Sequence, residues 1–207
     1  MAASLDGFTA LQNGQSQWIT SEAARADGHH WRAQACAILT GIGTVQADNP
    51  QLNVRERPTR RQPIKVLMDS SLSVDVSANI FEGAPTWIFC ARTNPVKAQA
   101  LLERGCRIFE CPNDAGRVDL AQVIQTLGEQ GLNEIHVEAG SVLSGALMKS
   151  NLVDELLLYL APSFLGAGRA MFQVPPQTDL AGVRRWRFKE IQPVGEDLRI
   201  LGRLAAS

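Results

Sequence analysis

The sequence predicts an α/β fold built on a mixed, mostly parallel sheet that carries helices on both faces and ends in an antiparallel hairpin. Up to about residue 150, short runs rich in β-branched residues alternate with helix-patterned segments, which is typical of parallel strands joined by helical crossovers. Beyond that point, three strand-like runs follow one another without helices. The last two flank the Gly195-Glu-Asp turn and should pair as the hairpin.

The predicted elements are a short strand at 2–4, a helix at 21–34, a strand at 36–40, a short helix at 41–47, strands at 64–69 and 86–91, a helix at 96–104, a strand at 106–110, a helix at 119–130, a strand at 134–138, a helix at 141–149, a strand at 155–161 and hairpin strands at 186–193 and 198–204. The first helix should begin at Ser21, whose hydroxyl can cap a helix with an acidic first turn. Pro50 should end the short helix near Asp48, because proline disfavours helical geometry in the residue before it.

Composition bounds the class of protein. The 207 residues are 45% hydrophobic and 20% charged, without repeats or linkers, so we expect one domain over residues 1–207. A net charge of −1 gives no electrostatic footprint for nucleic acid or an anionic membrane. No apolar run approaches a membrane span, and the cysteines lie mostly in strand-like runs. These features favour a cytoplasmic protein with core thiols, although a Cys106–Cys111 disulfide remains open.

The strand–turn–helix segment around Glu138 is the most informative feature. The strand ends on Glu138, the chain turns at Gly140, and an apolar helix begins directly afterwards. The start of a helix leaves amide groups unpaired, which makes it a natural site for an anion or a phosphate. A second glycine turn, from Gly41 to Thr44, offers the same chemistry. We therefore expect a sheet enzyme that binds a phosphorylated cofactor at the carboxyl ends of its strands.

Five motifs occur in one ordered series: A-A-S-L-D-G at 2–7, S-Q-W-I-T-S at 16–21, L-T-G-I-G-T-V-Q-A-D-N-P-Q-L-N-V-R at 39–55, V-E-A-G-S-V-L-S-G-A-L at 137–147 and L-V-D-E-L-L-L-Y-L-A-P at 152–162. The series resembles the reductase domain of the bifunctional riboflavin-biosynthesis deaminase/reductase. The resemblance implies a three-layer, dihydrofolate-reductase-like fold. It also implies NADPH-dependent reduction of the ribosyl group of 5-amino-6-(5-phosphoribosylamino)uracil to a ribityl group.

The resemblance also implies roles for individual residues. The substrate positions are Ser16, Arg32, Leu52, Arg55 and Glu138. The cofactor positions are Ala2, Trp18, Thr44, Asp48, Ser70, Arg92, Gly140, Ser141, Val142, Leu143, Ser144, Gly145 and Ala146. Glu138 and Asp48 are the catalytic candidates, and which of them acts as acid or base stays open. Arg92 is the candidate contact of the adenosine 2′-phosphate that distinguishes NADPH from NADH.

The residues themselves support part of this assignment. Guanidinium groups bind a phosphate monoester with two parallel hydrogen bonds, so Arg32 and Arg55 suit the 5-phosphate. Simpler interpretations stay open for several positions. Gly41 and Gly43 could form a packed turn, Trp18 could belong to the core, Arg32 and Arg92 could be solvated, and Asp48 could cap a turn.

A metal site is not expected. His136 and Glu138 match the H-x-E half of a zinc deaminase signature, but no P-C-x-x-C follows, and His136 should be packed more deeply than Glu138. In the family, a lysine precedes Ala2 by two residues, a position ahead of Met1. We therefore expect the chain to be part of a longer protein with an upstream deaminase domain, and a separately encoded reductase is the alternative. Without that lysine, substrate binding or activity could be weakened.

Three functions are compatible with these sequence features. The first is the NADPH-dependent uracil reductase, with hydride transfer to C1′ of the opened ribosylamine. The second is the related reductase acting on the 2,5-diamino-pyrimidinone ribosylamine phosphate. The third is a non-catalytic nucleotide-binding or dimerisation module. We also expect a homodimer, because the apolar strand at 156–161 and the C-terminal hairpin would leave a hydrophobic sheet edge exposed.

Overall fold

A computed structural model describes residues 1–55 and 57–205, which fall into two compact units. The parallel-sheet unit is His29–Leu143, and the mixed-sheet unit combines Met1–Gly28 with Ser144–Ser207. The strands are β1 (Ala2–Ser4), β2 (Phe8–Leu11), β3 (Ala37–Gly41), β4 (Ile64–Met68), β5 (Thr86–Cys90), β6 (Arg107–Glu110), β7 (Ile135–Val137), β8 (Glu155–Ala161), β9 (Gly168–Ala170), β10 (Trp186–Val194) and β11 (Asp197–Leu204). The helices are α1 (Glu22–Gln34), α2 (Ile42–Asp48), α3 (Pro95–Glu103), α4 (Leu120–Glu129) and α5 (Ser141–Lys149), with 3-10 turns at Asn79–Phe81 and Leu180–Gly182.

The parallel-sheet unit contains five strands in the order β6-β5-β4-β3-β7, and all neighbours run parallel. From β3 to β6 the chain moves in one direction across the sheet, and it then returns to place β7 on the other side of β3. Because such crossovers are right-handed, α2 and α3 lie on one face and α4 on the other. The predicted α/β fold, with helices on both faces of a mostly parallel sheet and a C-terminal antiparallel hairpin, is confirmed, and the hairpin belongs to a separate four-stranded sheet.

The reversal of strand order falls between β3 and β7. In open parallel sheets, the crevice for ligands lies outside the carboxyl ends of the strands where the order reverses. Leu39 is paired with Val137, and the Glu138 amide donates to the Leu39 carbonyl at 2.9 Å. Both strands therefore end at the same level, and α2 and α5 begin side by side.

The mixed-sheet unit holds the order β1-β8-β11-β10, in which the predicted hairpin of β10 and β11 pairs antiparallel with β8. The apolar strand β8 lies inside this sheet, paired on both sides, and β1 and β10 are the two edge strands. A second, two-stranded sheet joins β2 to β9. The strand β9 was not predicted, because its three residues Gly-Arg-Ala have no β-branched or alternating pattern.

The predicted helix signals are confirmed at two important positions. The Ser21 hydroxyl accepts a hydrogen bond from the Ala24 amide at 3.3 Å and so caps α1. Asn49, directly before Pro50, ends α2 in the left-handed conformation at φ 42°. The four cysteines are free thiols, and Cys90, Cys106 and Cys111 are buried, as expected for core residues.

Lys65 is a charge placed inside the sheet. Its side chain is fully buried on β4, within the strand predicted at 64–69, although the sequence gives no sign that this charge is buried. The ammonium group donates to the carbonyl of Ile80 at 2.9 Å and to that of Glu82. Burial lowers the pKa of Lys65 to about 8, and the opposing attraction of Glu82 does not restore it. Lys65 thus links β4 to the segment 80–82 through two hydrogen bonds.

Within residues 1–55 and 57–205, none of the helices combines the length and apolar character needed to cross a bilayer.

Candidate functional site

Two glycine turns meet at the carboxyl edge of the parallel sheet. A Cβ atom added to Gly41 would lie 3.2 Å from Leu143 Cδ2, so the Leu143 side chain would have to shift by a few tenths of an ångström. Gly41 thus packs against the first turn of α5, as the packed-turn interpretation expects, whereas a Cβ on Gly43 would meet nothing within 4 Å among the described residues. The two predicted phosphate-binding turns are in contact through Gly41 and Leu143.

The start of α2 keeps its amide groups unoccupied by side chains. Gly41 precedes the helix in an extended conformation and makes no side-chain cap. The first amides of a helix point along its axis and carry partial positive charge. Thr44 and Asp48 lie one turn apart and so share one side of α2, with Asp48 exposed. This end of the unit can bind an anion through backbone donors.

Arg32 and Glu138 form a two-pronged ion pair. Arg32 Nε lies 2.5 Å from Glu138 Oε1, and Arg32 Nη2 lies 2.6 Å from Glu138 Oε2. Their side chains are 18% and 26% exposed. Arg32 ends α1 and Glu138 follows β7, so the pair joins two elements that are 106 residues apart. The guanidinium edge that was expected to clamp a phosphate faces the carboxylate instead.

The environment of Glu138 keeps this carboxylate ionised. Burial is the largest single influence and opposes ionisation. Hydrogen bonds from His136 and Arg32, together with the positive charge of Arg32, outweigh burial and hold the pKa of Glu138 well below its usual range. At neutral pH the group can accept hydrogen bonds or a proton, but it has no proton to donate.

His136 is packed slightly more deeply than the 26%-exposed Glu138, as expected, but it was not predicted to contact that carboxylate. Its Nε2 lies 3.5 Å from Glu138 Oε1, and its side chain is 20% exposed. Residues two apart on a strand face the same side, and that periodicity was the signal available in the sequence. His136 therefore belongs to the surroundings of Glu138.

The loop after α2 is tied to the same ion pair. Arg32 Nη1 donates to the backbone carbonyl of Asn53 at 3.2 Å. Asn53 separates two predicted substrate positions, the buried Leu52 and the exposed Arg55. The structure therefore brings Arg32, Glu138 and the 52–55 stretch together, whereas the predicted pocket bounded by Glu138, Gly140, Asp48 and Arg55 stays a prediction.

Thr40 is a second residue that the sequence analysis missed. It is fully buried on β3, and the register of β3 and β7 places it beside Glu138 on the same face of the sheet. Among the described residues, its hydroxyl has no hydrogen-bond partner. A lone threonine in an apolar strand carries no sequence signal that distinguishes this position from ordinary core.

Ser70 and Arg92 follow neighbouring strands and lie together. The Arg92 amide donates to the Ser70 carbonyl at 3.1 Å. The Ser70 hydroxyl accepts from the Val118 amide at 3.2 Å, and the Arg92 side chain is exposed. These two cofactor candidates thus share the carboxyl edge of β4 and β5.

The mixed-sheet unit carries the other predicted positions. Ala2 is exposed on β1, and Ser16 is half-buried before α1. Trp18 is 68% exposed and lies under the Arg25 guanidinium, 4.3 Å from the ring centre, so the core interpretation of Trp18 is wrong.

On α5, Ser144 is buried and Ala146 is half-buried. Val142 lies in the part of α5 that belongs to the parallel-sheet unit, and it is 62% exposed. A Cβ atom on Gly145 would lie 2.2 Å from the carbonyl oxygen of Gln173. Glycine at position 145 therefore has a packing reason, independent of any cofactor.

The part of the chain that the structure describes contains no group of three or more His, Cys, Asp or Glu side chains arranged to hold a metal ion.

The family described as the RibD C-terminal domain matches residues 1–200. The riboflavin biosynthesis protein RibD of Escherichia coli (strain K12) is 40% identical over 212 residues, covering 96% of this chain and 57% of that protein. A protein of Buchnera aphidicola subsp. Acyrthosiphon pisum (strain APS) named 5-amino-6-(5-phosphoribosylamino)uracil reductase is 29% identical over 209 residues, covering 92% of this chain and 97% of that protein.

Among solved structures, Acinetobacter baumannii RibD, form 1, matches with a TM-score of 0.87 at 33% identity, covering 100% of this chain and 57% of that one. The chain therefore spans little more than half the length of the E. coli and A. baumannii proteins.

Replacing Arg32 with methionine should raise the pKa of Glu138. The substitution removes the guanidinium charge and its hydrogen bonds, which lower this pKa, and leaves burial, which raises it. The folded pKa of Glu138 is depressed in the wild type, so the pair stabilises the fold above the ordinary carboxyl value of 4.5 and loses this effect as the pH falls. Carbon-13 NMR titration of the carboxyl group and urea unfolding at pH 7 and pH 3 measure both effects.

The destabilisation by Arg32→Met should be about 1–3 kcal/mol at pH 7 and smaller at pH 3. Arg25→Met is the matched control, since Arg25 contacts Trp18 and the Thr20 carbonyl rather than a carboxylate. An unchanged Glu138 pKa in Arg32→Met would contradict the ion pair.

Proposed function

The chain belongs to the RibD C-terminal domain family, and from this premise we propose that it reduces the ribosyl group of 5-amino-6-(5-phosphoribosylamino)uracil to a ribityl group with NADPH. The observation that carries the proposal is the ionised Glu138, held by Arg32 at the strand-order reversal beside two helix starts. The reductase of B. aphidicola, which this chain matches over 97% of that protein, supports the same substrate class.

The proposed role of Glu138 is to accept hydrogen bonds from the sugar. Opening a ribosylamine ring to the imine breaks the C1′–O bond, adds a proton to the ring oxygen and removes one from the C1′ nitrogen. The depressed pKa of Glu138 makes it a weak proton acceptor, so its proposed contribution is a fixed negative charge that accepts hydrogen bonds from the sugar and stabilises the positive charge that develops at C1′ and its nitrogen. Asp48 stays the second candidate for proton relay, and His136 Nε2 lies 3.5 Å from Glu138 Oε1.

Arg32 and Arg55 have different proposed roles, which follow from their different surroundings. Arg32 makes two hydrogen bonds to Glu138 and one to the Asn53 carbonyl, so it orients the carboxylate and the following loop. Arg55 is exposed at the end of that loop and is the better candidate for the 5-phosphate. Ser16 and Leu52 complete the proposed substrate set.

The residues present fit a dinucleotide cofactor. The start of α2 has no side-chain cap, and the contact between Gly41 and Leu143 places the start of α5 beside it. Two adjacent groups of backbone amides suit a pyrophosphate. A bound nicotinamide supplies the hydride, and this chain's residues position the sugar to receive it. Thr44, Asp48, Ser70 and the Gly140–Ala146 segment, with Ala2 and Trp18 of the mixed-sheet unit, are the proposed cofactor residues.

Turnover with purified protein tests the function. Oxidation of NADPH should accompany formation of the ribitylamino product from the uracil substrate, with the diamino-pyrimidinone substrate reacting more slowly. Faster reaction of the diamino-pyrimidinone would instead support the related reductase. Quenching of nicotinamide fluorescence without turnover of either pyrimidine would support the non-catalytic nucleotide-binding module.

Glu138→Gln should lower turnover by about a hundredfold or more, because the amide lacks the negative charge and the second acceptor oxygen of the carboxylate, and should leave NADPH affinity within a few-fold of the wild type. Glu134→Gln is the matched control, since Glu134 is exposed and directly precedes the first residue of β7. Equal loss of cofactor binding in Glu138→Gln would identify a structural carboxylate.

Arg92 is the proposed contact of the 2′-phosphate of NADPH. Its exposed guanidinium follows β5 beside Ser70, at the edge where the cofactor is proposed to bind. Arg92→Ala should weaken NADPH binding and leave NADH binding unaffected, as measured by fluorescence titration with both cofactors. An unchanged preference would remove Arg92 from the site.

A homodimer in the cytoplasm is the proposed state. The edge strand β10 exposes Phe188 by 66% and Ile191 by 52%, and exposed apolar edges tend to be covered by a partner. The buried free thiols support a reducing compartment. Light scattering at micromolar concentration should give twice the mass of the chain, and a monomeric mass would contradict the proposal.

A further inference from the structure

The loop from Asn49 to Arg55 holds an unfavourable backbone. Asn49 and Leu52 have φ angles of 42° and 49°, in the left-handed region that residues other than glycine rarely adopt. Leu52 carries a branched side chain, which makes this conformation less favourable than for asparagine. Such conformations persist where the surrounding structure fixes them. The 49–55 loop therefore depends on contacts outside itself.

Asn79 donates two hydrogen bonds to the start of this loop. The Asn79 amide donates to Asn49 Oδ1 at 2.8 Å, and Asn79 Nδ2 donates to the Asn49 carbonyl at 3.2 Å. Nearby, Gln51 Nε2 donates to Glu82 Oε2 at 3.0 Å. We call the Asn49–Asn79 bonds the asparagine clamp.

The segment that carries Asn79 is itself held firmly. Lys65, fully buried in the sheet, donates to the carbonyls of Ile80 and Glu82, and the Thr86 hydroxyl donates to the Ile80 carbonyl at 3.0 Å. Ile80 is fully buried in the hydrophobic core. A rigid support thus reaches from β4 through residues 79–82 to Asn49.

A cavity of about 330 Å³ lies between α2 and residues 74–78, and Asn49 forms part of its wall together with Ile42, Val45 and Val74. The Asn49 amide donates to the Val45 carbonyl at 3.0 Å, which ties Asn49 to the last turn of α2. The clamp adds the hydrogen bonds that join Asn49 to the segment held by Lys65.

We propose that Asn79 is a positioning residue for the substrate, because its clamp on Asn49 fixes the 49–55 loop that carries Leu52 and Arg55. The proposal rests on the proposed function for its kinetic consequence. The loop also bonds to Arg32 through the Asn53 carbonyl, so its displacement would disturb the surroundings of Glu138 as well. Asn79 acts through the loop and does not itself contact the substrate.

Steady-state kinetics of Asn79→Ala test the proposal. The variant should raise KM for the pyrimidine substrate about five- to tenfold, as expected for loss of one hydrogen bond that orders the loop. The kcat should stay within about threefold, and the NADPH dissociation constant within about twofold. Asn49→Gly favours the left-handed backbone but removes the Oδ1 acceptor of the other bond, so the double variant, which lacks both bonds of the clamp, should raise KM further than either single variant.

Gly131→Ala is the matched control for a general loss of stability. Gly131 has a φ angle of +78°, so a side chain there strains the turn before β7 without touching the 49–55 loop. If Gly131→Ala raised KM as much as Asn79→Ala at equal loss of stability, the effect would be global and the positioning role would be refuted.

Hydrogen exchange followed by mass spectrometry tests the clamp independently of whether the protein has the proposed reductase activity. Backbone amides of the 49–55 loop should exchange at least about fivefold faster in Asn79→Ala than in Gly131→Ala, whether or not the protein turns over either pyrimidine. Exchange at the wild-type rate would refute the clamp. Faster exchange in a protein without turnover would refute the proposed function and leave the clamp intact.

Discussion

The ion pair between Arg32 and Glu138 is the interaction on which the site depends. It joins the end of α1, the end of β7 and, through the Asn53 carbonyl, the loop after α2. A partly buried carboxylate is unfavourable without a partner, because burial removes water that would stabilise its charge. The guanidinium supplies both the charge and the geometry that compensate. Glu138 is thereby fixed as an ionised, oriented group beside the two helix starts.

Topology explains why the pair is located where a reaction could take place. The strand order reverses between β3 and β7, so the chain leaves these neighbouring strands into two different helices. The contact of Gly41 with Leu143 shows how closely those helices begin. On the other side of α2, the buried Lys65 and the asparagine clamp hold a loop whose backbone is unfavourable by itself. Arg32 thus holds the carboxylate, and the asparagine clamp holds the 49–55 loop.

The sequence predicted what depends on local pattern. Alternating runs located the strands and helices, Ser21 and Pro50 marked helix ends, and Glu138 could be placed at a strand end. Contacts between distant residues were beyond such reasoning. Nothing near Arg32 in the sequence indicates that its partner lies 106 residues away rather than on a phosphate. Similarly, the predicted strand at 64–69 contains Lys65, but nothing in its local sequence indicates that its ammonium group binds the carbonyls of residues 80 and 82.

A crystal structure of the protein with NADP⁺ and the ribitylamino product would test the central claim most directly. The account predicts that Arg32 keeps both hydrogen bonds to Glu138, and that a Glu138 oxygen lies about 2.6–3.2 Å from a sugar hydroxyl. Arg55 should contact the phosphate. The account would be contradicted by a complex in which Arg32 has left Glu138 to bind the phosphate and the carboxylate faces away from the sugar.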